Sequence, residues 1–138
     1  MEYKDLVEEA FKAREFAYTP YSNFNVGAAL LTADDHVIHG CNIESASQTP
    51  SCCAERTAFF KGVSSGHKDF KAIAIVAAPK GTEDANFDYC APCGVCRQIM
   101  AEFCELDTFD VVLAKSVEEF RVYKLTELLP LAFTGKDI

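Results

Sequence analysis

The sequence predicts an α/β protein: a five-stranded mixed sheet with helices packed on its faces. Three observations lead there. Tyr3, Leu6, Val7, Ala10 and Phe11 recur at helical spacing. Ala72 to Ala78 is a short, almost wholly apolar run containing Ile73, Ile75 and Val76, which suits a central strand buried on both faces. Along the whole chain the segments follow the order α-β-β-α-β-α-β-β, which a mixed sheet accommodates.

Taken in order, the first helix runs from Tyr3 to about residue 17 and is ended by Thr19-Pro20-Tyr21-Ser22. Phe24 to Leu31 and Val37 to Ile43 read as two strands of a hairpin about the polar turn Asp34-Asp35. A loop rich in Ser and Thr, Ser45 to Ser51, leads into a second helix from about Cys53 to Val63, closed by Gly62, Ser64, Ser65 and Gly66. After the apolar strand, Lys80 to Tyr89 is loop. Pro92 opens a third helix with Val95, Ile99 and Phe103 on one face. Asp110 to Ala114 and Phe120 to Leu125 are two more strands, and Thr126 to Leu129 a short helical turn. With no repeat, low-complexity tract or linker, residues 1–138 are expected to form one domain.

Composition narrows the function. Apolar residues make up 49% of the chain, with 11 Phe and 5 Tyr, enough for a core at this length. The net charge of −8, from 21 acidic and 13 basic residues, disfavours polyphosphates, and no Lys/Arg cluster is long enough to track a nucleic-acid backbone. No apolar run approaches the ~20 residues of a membrane span. The charged start, Met1-Glu2-Tyr3-Lys4-Asp5, lacks the apolar stretch of a secretion signal. Seven cysteines, an odd number, several at metal-like spacing, fit a reducing cytoplasm better than a disulfide framework.

The chemistry resides in Cys53-Ala54-Glu55 and Pro92-Cys93-Gly94-Val95-Cys96. Cys93 and Cys96 are three apart in the first turn of a helix and project from one face. Cys53 starts another helix, so two helix N-termini can converge on one zinc ion, where the positive dipole ends favour thiolates. Three protein ligands leave a fourth position open, as catalytic zinc sites do. Glu55, two residues past Cys53, can lean toward that position as a proton carrier. Cys-x-Glu with Pro-Cys-x-x-Cys is the pattern of the zinc deaminases. Three thiolates on a dication leave excess negative charge, and Arg56 and Arg97 are the candidates to offset it by hydrogen bonding to sulfur. Cys90, Cys52, Cys41 and Cys104 read as non-ligand thiols, and His36, His39 and His67 lie in or near turns, far from the triad in sequence.

Beyond the zinc segments the chain resembles the small cytidine deaminases of pyrimidine salvage. The likeness is carried by Pro20-Tyr21-Ser22-Asn23-Phe24-Asn25-Val26-Gly27-Ala28-Ala29-Leu30, Cys41-Asn42-Ile43-Glu44-Ser45-Ala46-Ser47, the two zinc segments, and Leu128-Leu129-Pro130-Leu131-Ala132-Phe133. The resemblance implies a three-layer α-β-α fold, one Zn²⁺ per chain, and hydrolysis of cytidine and deoxycytidine to the uridine product and ammonia. It implies that Asn42 and Glu44 bond the ribose hydroxyls and that Phe24 packs against the pyrimidine. The Ala54 N–H meets the base carbonyl, and Glu55 binds the ring nitrogen. It also implies a homotetramer with shared sites, in which Phe133 covers the base bound to a neighbouring subunit. Two positions depart from the pattern: Ser45 where Asn is usual, and Gln48 where Tyr is usual, a change bearing on the subunit interface.

Other readings stand beside this one. Asn42 and Glu44 could form a polar strand edge, Phe24 could be core and Phe133 a docking residue for the tail. A deaminase acting on another aminopyrimidine, such as a blasticidin-type antibiotic, is opposed by Asn42-x-Glu44. A zinc-stabilised scaffold without turnover is opposed by the missing fourth ligand. An editing deaminase acting on RNA or DNA is opposed by the charge.

Overall fold

A computed structural model describes residues 1–138. Its sheet has five strands: β1 (Phe24–Thr32), β2 (Val37–Cys41), β3 (Phe70–Pro79), β4 (Asp110–Ala114) and β5 (Phe120–Lys124). They lie in the order β2-β1-β3-β4-β5. The β3–β4 pair is parallel and the others antiparallel, so the sheet is mixed as expected. The helices are α1 (Tyr3–Arg14), α2 (Ala54–Ser64), α3 (Gly94–Phe103) and the single turn α4 (Leu125–Leu128).

Strand alternation divides the interior into two cores. Ala28 and Leu30 of β1, Ile73 and Ile75 of β3, and Val111 and Leu113 of β4 point to one face, where they meet Ala54, Ala58 and Phe59 of α2 and Cys96 and Met100 of α3. Ala29, Leu31, Ala72, Ala74, Val76, Ala78, Val112 and Ala114 point to the other, against Leu6, Val7 and Ala10 of α1. The result is three layers, α1 on one side of the sheet and α2 with α3 on the other. Phe59 anchors α2: it is fully buried, with ring centroids 5.3 Å from Phe70 and 6.1 Å from Phe103 and Phe109. Burying one such side chain contributes about 1.5–3 kcal/mol. Its neighbour Phe60 points outward, as two consecutive helical residues must.

Close approach of helix to sheet depends on one glycine per layer. A Cβ on Gly27 would stand 2.1 Å from the Ala10 carbonyl oxygen, and one on Gly40 2.3 Å from that of Ala54. Those obstacles are backbone, so any side chain at Gly40 would lift the first turn of α2, where Cys53 and Glu55 begin.

Several boundaries differ from the sequence expectation. The first helix ends at Arg14, whose guanidinium bonds the carbonyls of Asn25, Ala78 and Pro79 and so clamps the end of the β1–β3 pair. The central strand is longer than its apolar run, from Phe70 to Pro79. The second hairpin strand stops at Cys41. Beyond it, Asn42–Glu44 leaves the sheet and is held between two other segments, Tyr18 on one side and Cys52 on the other. On α3 the buried residues are Cys96, Met100 and Ala101, while Val95 is 58% exposed and Ile99 and Phe103 pack only in part. The expected Val95-Ile99-Phe103 face is therefore rotated, because the fixed requirement is that Cys96 turn inward.

Candidate active site and metal centre

Cys53 and Cys93 each occupy the N-cap of a helix, α2 and α3, in extended backbone conformation with no side-chain cap bond. Neither sulfur is spent on capping its helix, and each stands at the end where first-turn N–H groups lack intrahelical partners. Cys96, one turn into α3, completes the group. The Sγ atoms of Cys53 and Cys93 lie 3.9 Å apart and those of Cys93 and Cys96 3.5 Å apart, and all three fall within 4.8 Å of one another. Tetrahedral Zn–S bonds of about 2.3 Å place sulfurs about 3.8 Å apart, so this donor set fits a zinc ion.

Electrostatics support the same reading. In the metal-free chain the Cys53 thiol is held well below its usual value, first by a hydrogen bond from Cys96 and then by the Arg56 guanidinium. Cys96 moves the opposite way, because it donates to Cys53 and is buried. Three clustered sulfurs cannot all ionise without a cation. Arg56 Nη2 donates to Cys53 Sγ at 3.5 Å and to the Ser51 carbonyl at 3.4 Å, and its Nε is buried without a partner. Arg97 does not reach a sulfur. It donates instead to the carbonyls of Pro92 (2.8 Å) and Leu128 (2.6 Å), tying the start of α3 to the C-terminal segment.

Glu55 is 5% exposed, the only buried carboxylate among the charged side chains. Burial pushes its carboxyl up to about 7, with the Cys53 charge adding to the shift and its own backbone N–H and the Cys96 thiol opposing it. A carboxyl poised there can take and give a proton near neutral pH. Cys90 lies outside the sulfur cluster, with a thiol raised by burial and by the Glu55 charge.

The remaining residues gather along the Asn42–Glu44 segment, which the Ile43–Cys52 bridge ties to the residues leading into Cys53: Ile43 N donates to Cys52 O at 2.9 Å and Cys52 N to Ile43 O at 2.8 Å. Asn42 uses its side chain on β1, accepting from Val26 N at 2.9 Å and donating to Phe24 O at 2.8 Å. One N–H and one lone pair of that amide remain for a ligand. The Glu44 carboxylate accepts from the N–H groups of Tyr21 and Ser22, both at 3.1 Å, and from the Ser22 hydroxyl. That hydroxyl, then the two N–H groups, hold it below the usual range. Glu44 lines an open cleft of about 350 Å³ with Tyr21, Ser22, Ser45, Gln48 and Ser51. Phe24 is the half-exposed first residue of β1. Ala54 is fully buried in the first turn of α2. Phe133 is 60% exposed in the tail, with its carbonyl bound by Gln98 Nε2 at 2.7 Å. The contacts of Asn42, Arg97 and Gln98 escaped sequence reasoning, since each depends on segments brought together only by the fold.

A three-layer mixed sheet that brings three sulfurs and a buried carboxyl to two helix N-termini defines the class of zinc-binding deaminase folds. The family model for the cytidine and deoxycytidylate deaminase zinc-binding region matches residues 1–112, and the chain belongs to that family. Similar proteins include the cytidine deaminase of Halalkalibacterium halodurans, 49% identical over 138 residues, covering 100% of this chain and 98% of that one. The cytidine deaminase of Sporosarcina psychrophila is 47% identical over 140 residues, covering 100% and 96%. The crystal structure of cytidine deaminase from Burkholderia pseudomallei superposes with a TM-score of 0.85 at 46% identity, covering 96% of this chain and 100% of that one. No helix is long and apolar enough to cross a membrane.

Proposed function

We propose that this chain, folded as one catalytic domain, hydrolyses cytidine and deoxycytidine to the corresponding uridine product and ammonia. The observation that carries the reading is the sulfur triad at tetrahedral spacing beside a buried Glu55. Cys53, Cys93 and Cys96 would hold one zinc ion, which would supply the Lewis acidity that makes a water nucleophilic at neutral pH. Glu55 takes one proton of the attacking water to the ring nitrogen as oxygen bonds to C4, then carries the remaining hydroxyl proton to the amine as the C4–N bond breaks. The Ala54 N–H, in a helix turn without intrahelical partners, orients the base carbonyl. Arg56 holds the Cys53 thiolate and offsets charge at the triad. Phe24 supplies an apolar face for the pyrimidine, and Asn42 and Glu44 take the ribose hydroxyls. Cytidine turnover followed as uridine and ammonia, with and without a zinc chelator, tests the reading. A preference for a blasticidin-type substrate in parallel assays would refute it.

The donors that bind Glu44, the Tyr21 and Ser22 N–H groups, are solvent-exposed, so water can replace the carboxylate there and its role is separable from folding. Glu44→Ala is expected to lower kcat/KM for cytidine by about tenfold or more, the scale of a lost charge-assisted hydrogen bond. Asn42→Ala should combine a similar loss with about 1–3 kcal/mol of destabilisation, because Val26 N–H and Phe24 C=O lose their partner. Unchanged kinetics in Glu44→Ala would remove the ribose from this cleft.

The same reading makes the enzyme a cytoplasmic homotetramer. Seven unpaired cysteines suit a reducing compartment. Leu131 and Phe133 of the tail, Phe60 of α2 and Val122 of β5 are each exposed, apolar positions available to subunit contacts. Phe133 of one subunit covers the base in the next. Phe133→Ala should raise KM while zinc content stays normal. A chain that sediments as a fully active monomer would leave Phe133 as a tail anchor.

A further inference from the structure

At the opposite end of α2 from Cys53, the β1–β2 turn meets the loop that follows the helix. Asp34, His36 and His67 each offer one donor atom there, and the three atoms lie within 4.8 Å of one another. His36 Nδ1 stands 3.6 Å from Asp34 Oδ2, and the two imidazole rings meet edge to face at 5.3 Å between centroids. We propose that these three residues form a second metal site, a surface one, for a borderline divalent transition cation such as Zn²⁺.

The backbone beneath each donor is fixed. His36 is held by a pair of bonds, its N–H to the Thr32 hydroxyl at 2.9 Å and its carbonyl from Thr32 N–H at 2.9 Å. Asp35 takes a left-handed conformation between them, φ 66°, which Asp tolerates. His67 closes the end of α2: its N–H reaches the Gly62 carbonyl at 3.0 Å across Gly66, whose φ is 96°. The Thr32 hydroxyl donates to Asp34 Oδ1 at 2.6 Å, which leaves Oδ2 directed at His36. The Asp34 and His36 side chains are 68% and 64% exposed, so their donors can close on an ion by small rotations and the ion can arrive from solvent.

The donor chemistry selects the cation. Two imidazoles with one carboxylate suit zinc and its neighbours, and lack the oxygen count that calcium or magnesium requires. A chain of net charge −8 draws cations toward its surface. The third histidine is not available: His39 Nε2 pairs with Glu9 Oε1 at 2.9 Å on α1. An ion at this position bridges the β1–β2 turn to the far end of the helix capped by Cys53.

The test titrates untagged, zinc-loaded protein with zinc sulfate at pH 8 and counts ions by native mass spectrometry and calorimetry. The wild-type chain is expected to take one further zinc per chain and to melt at higher temperature in its presence, as any ligand of the folded state requires. His36→Ala and His67→Ala should each weaken the second zinc by more than the ~10–100-fold typical of losing an outer-shell partner. Both should keep the first zinc, the wild-type circular dichroism spectrum and their zinc-free melting temperature within error. A second zinc bound undiminished by both variants, or no second zinc on the wild-type chain, overturns the proposal.

Discussion

Glu55→Gln is expected to slow cytidine turnover by at least ~10²–10⁴-fold, the usual contribution of a positioned acid/base group, with zinc content unchanged. Gln keeps the shape and fills the same buried space but cannot carry a proton. The loss should appear in kcat, because the proton transfers occur on the way to the transition state. Stability should move in the other direction. Burial raises the carboxyl from 4.5 to about 7, so the unfolded chain releases this proton at lower pH than the folded one. Folding stability of the zinc-free chain then falls as pH rises from about 4.5 to 7, and is flat beyond that window. The accumulated cost is about 3 kcal/mol, from 1.36 kcal/mol per unit. Zinc-free Glu55→Gln should therefore match the wild type near pH 4 and exceed it in urea midpoint near pH 8. Near-normal turnover in this variant would assign proton transfer to another group. Equal stability at both pH values would mean that Glu55 is not the strained carboxyl described here.

What could be read from sequence was local. Helical spacing located α1, the apolar run located β3, and Cys-x-Glu with Pro-Cys-x-x-Cys assembled the triad, since each signal lies within a turn or two of chain. The order of the strands was not legible, because pairing β1 with β3 and β3 with β4 depends on how a crossover closes over the sheet. Arg56, three residues after Cys53, and Arg97, directly after Cys96, are both candidates to bond a sulfur, with Arg56 the favoured one. The fold turns Arg56 back onto its own helix N-cap and sends Arg97 to the Leu128 carbonyl. Apolar spacing on α3 points Val95 inward, whereas the inward position belongs to Cys96. His36 and His67 read as unrelated turn residues. Their rings meet only because the β1–β2 turn and the end of α2 arrive at one corner of the molecule.

Cys93→Ala is expected to abolish zinc retention after dialysis against zinc-free buffer, and with it all measurable cytidine turnover. This is the cleanest of the three ligand substitutions, for a structural reason. Cys96 is fully buried in the core between α2, α3 and the sheet, so its removal confounds metal loss with lost packing. Cys53 is engaged by Arg56, whose guanidinium would be left with one partner fewer. Cys93 is exposed at the N-cap of α3 and makes no cap bond, so Ala there takes away little but a sulfur. Two ligands remain, one fewer than the three protein ligands with which open catalytic sites hold zinc. The melting temperature should fall to that of the chelator-treated wild type and no further, because zinc binding is itself folding free energy. Reductant must be present, since metal-free sulfurs 3.5 Å apart are within reach of a disulfide. Cys90→Ser, outside the cluster by geometry, should keep one zinc per chain under the same dialysis. Full zinc in Cys93→Ala together with zinc lost from Cys90→Ser would place the metal on a donor set that includes Cys90 but not Cys93 and overturn the site.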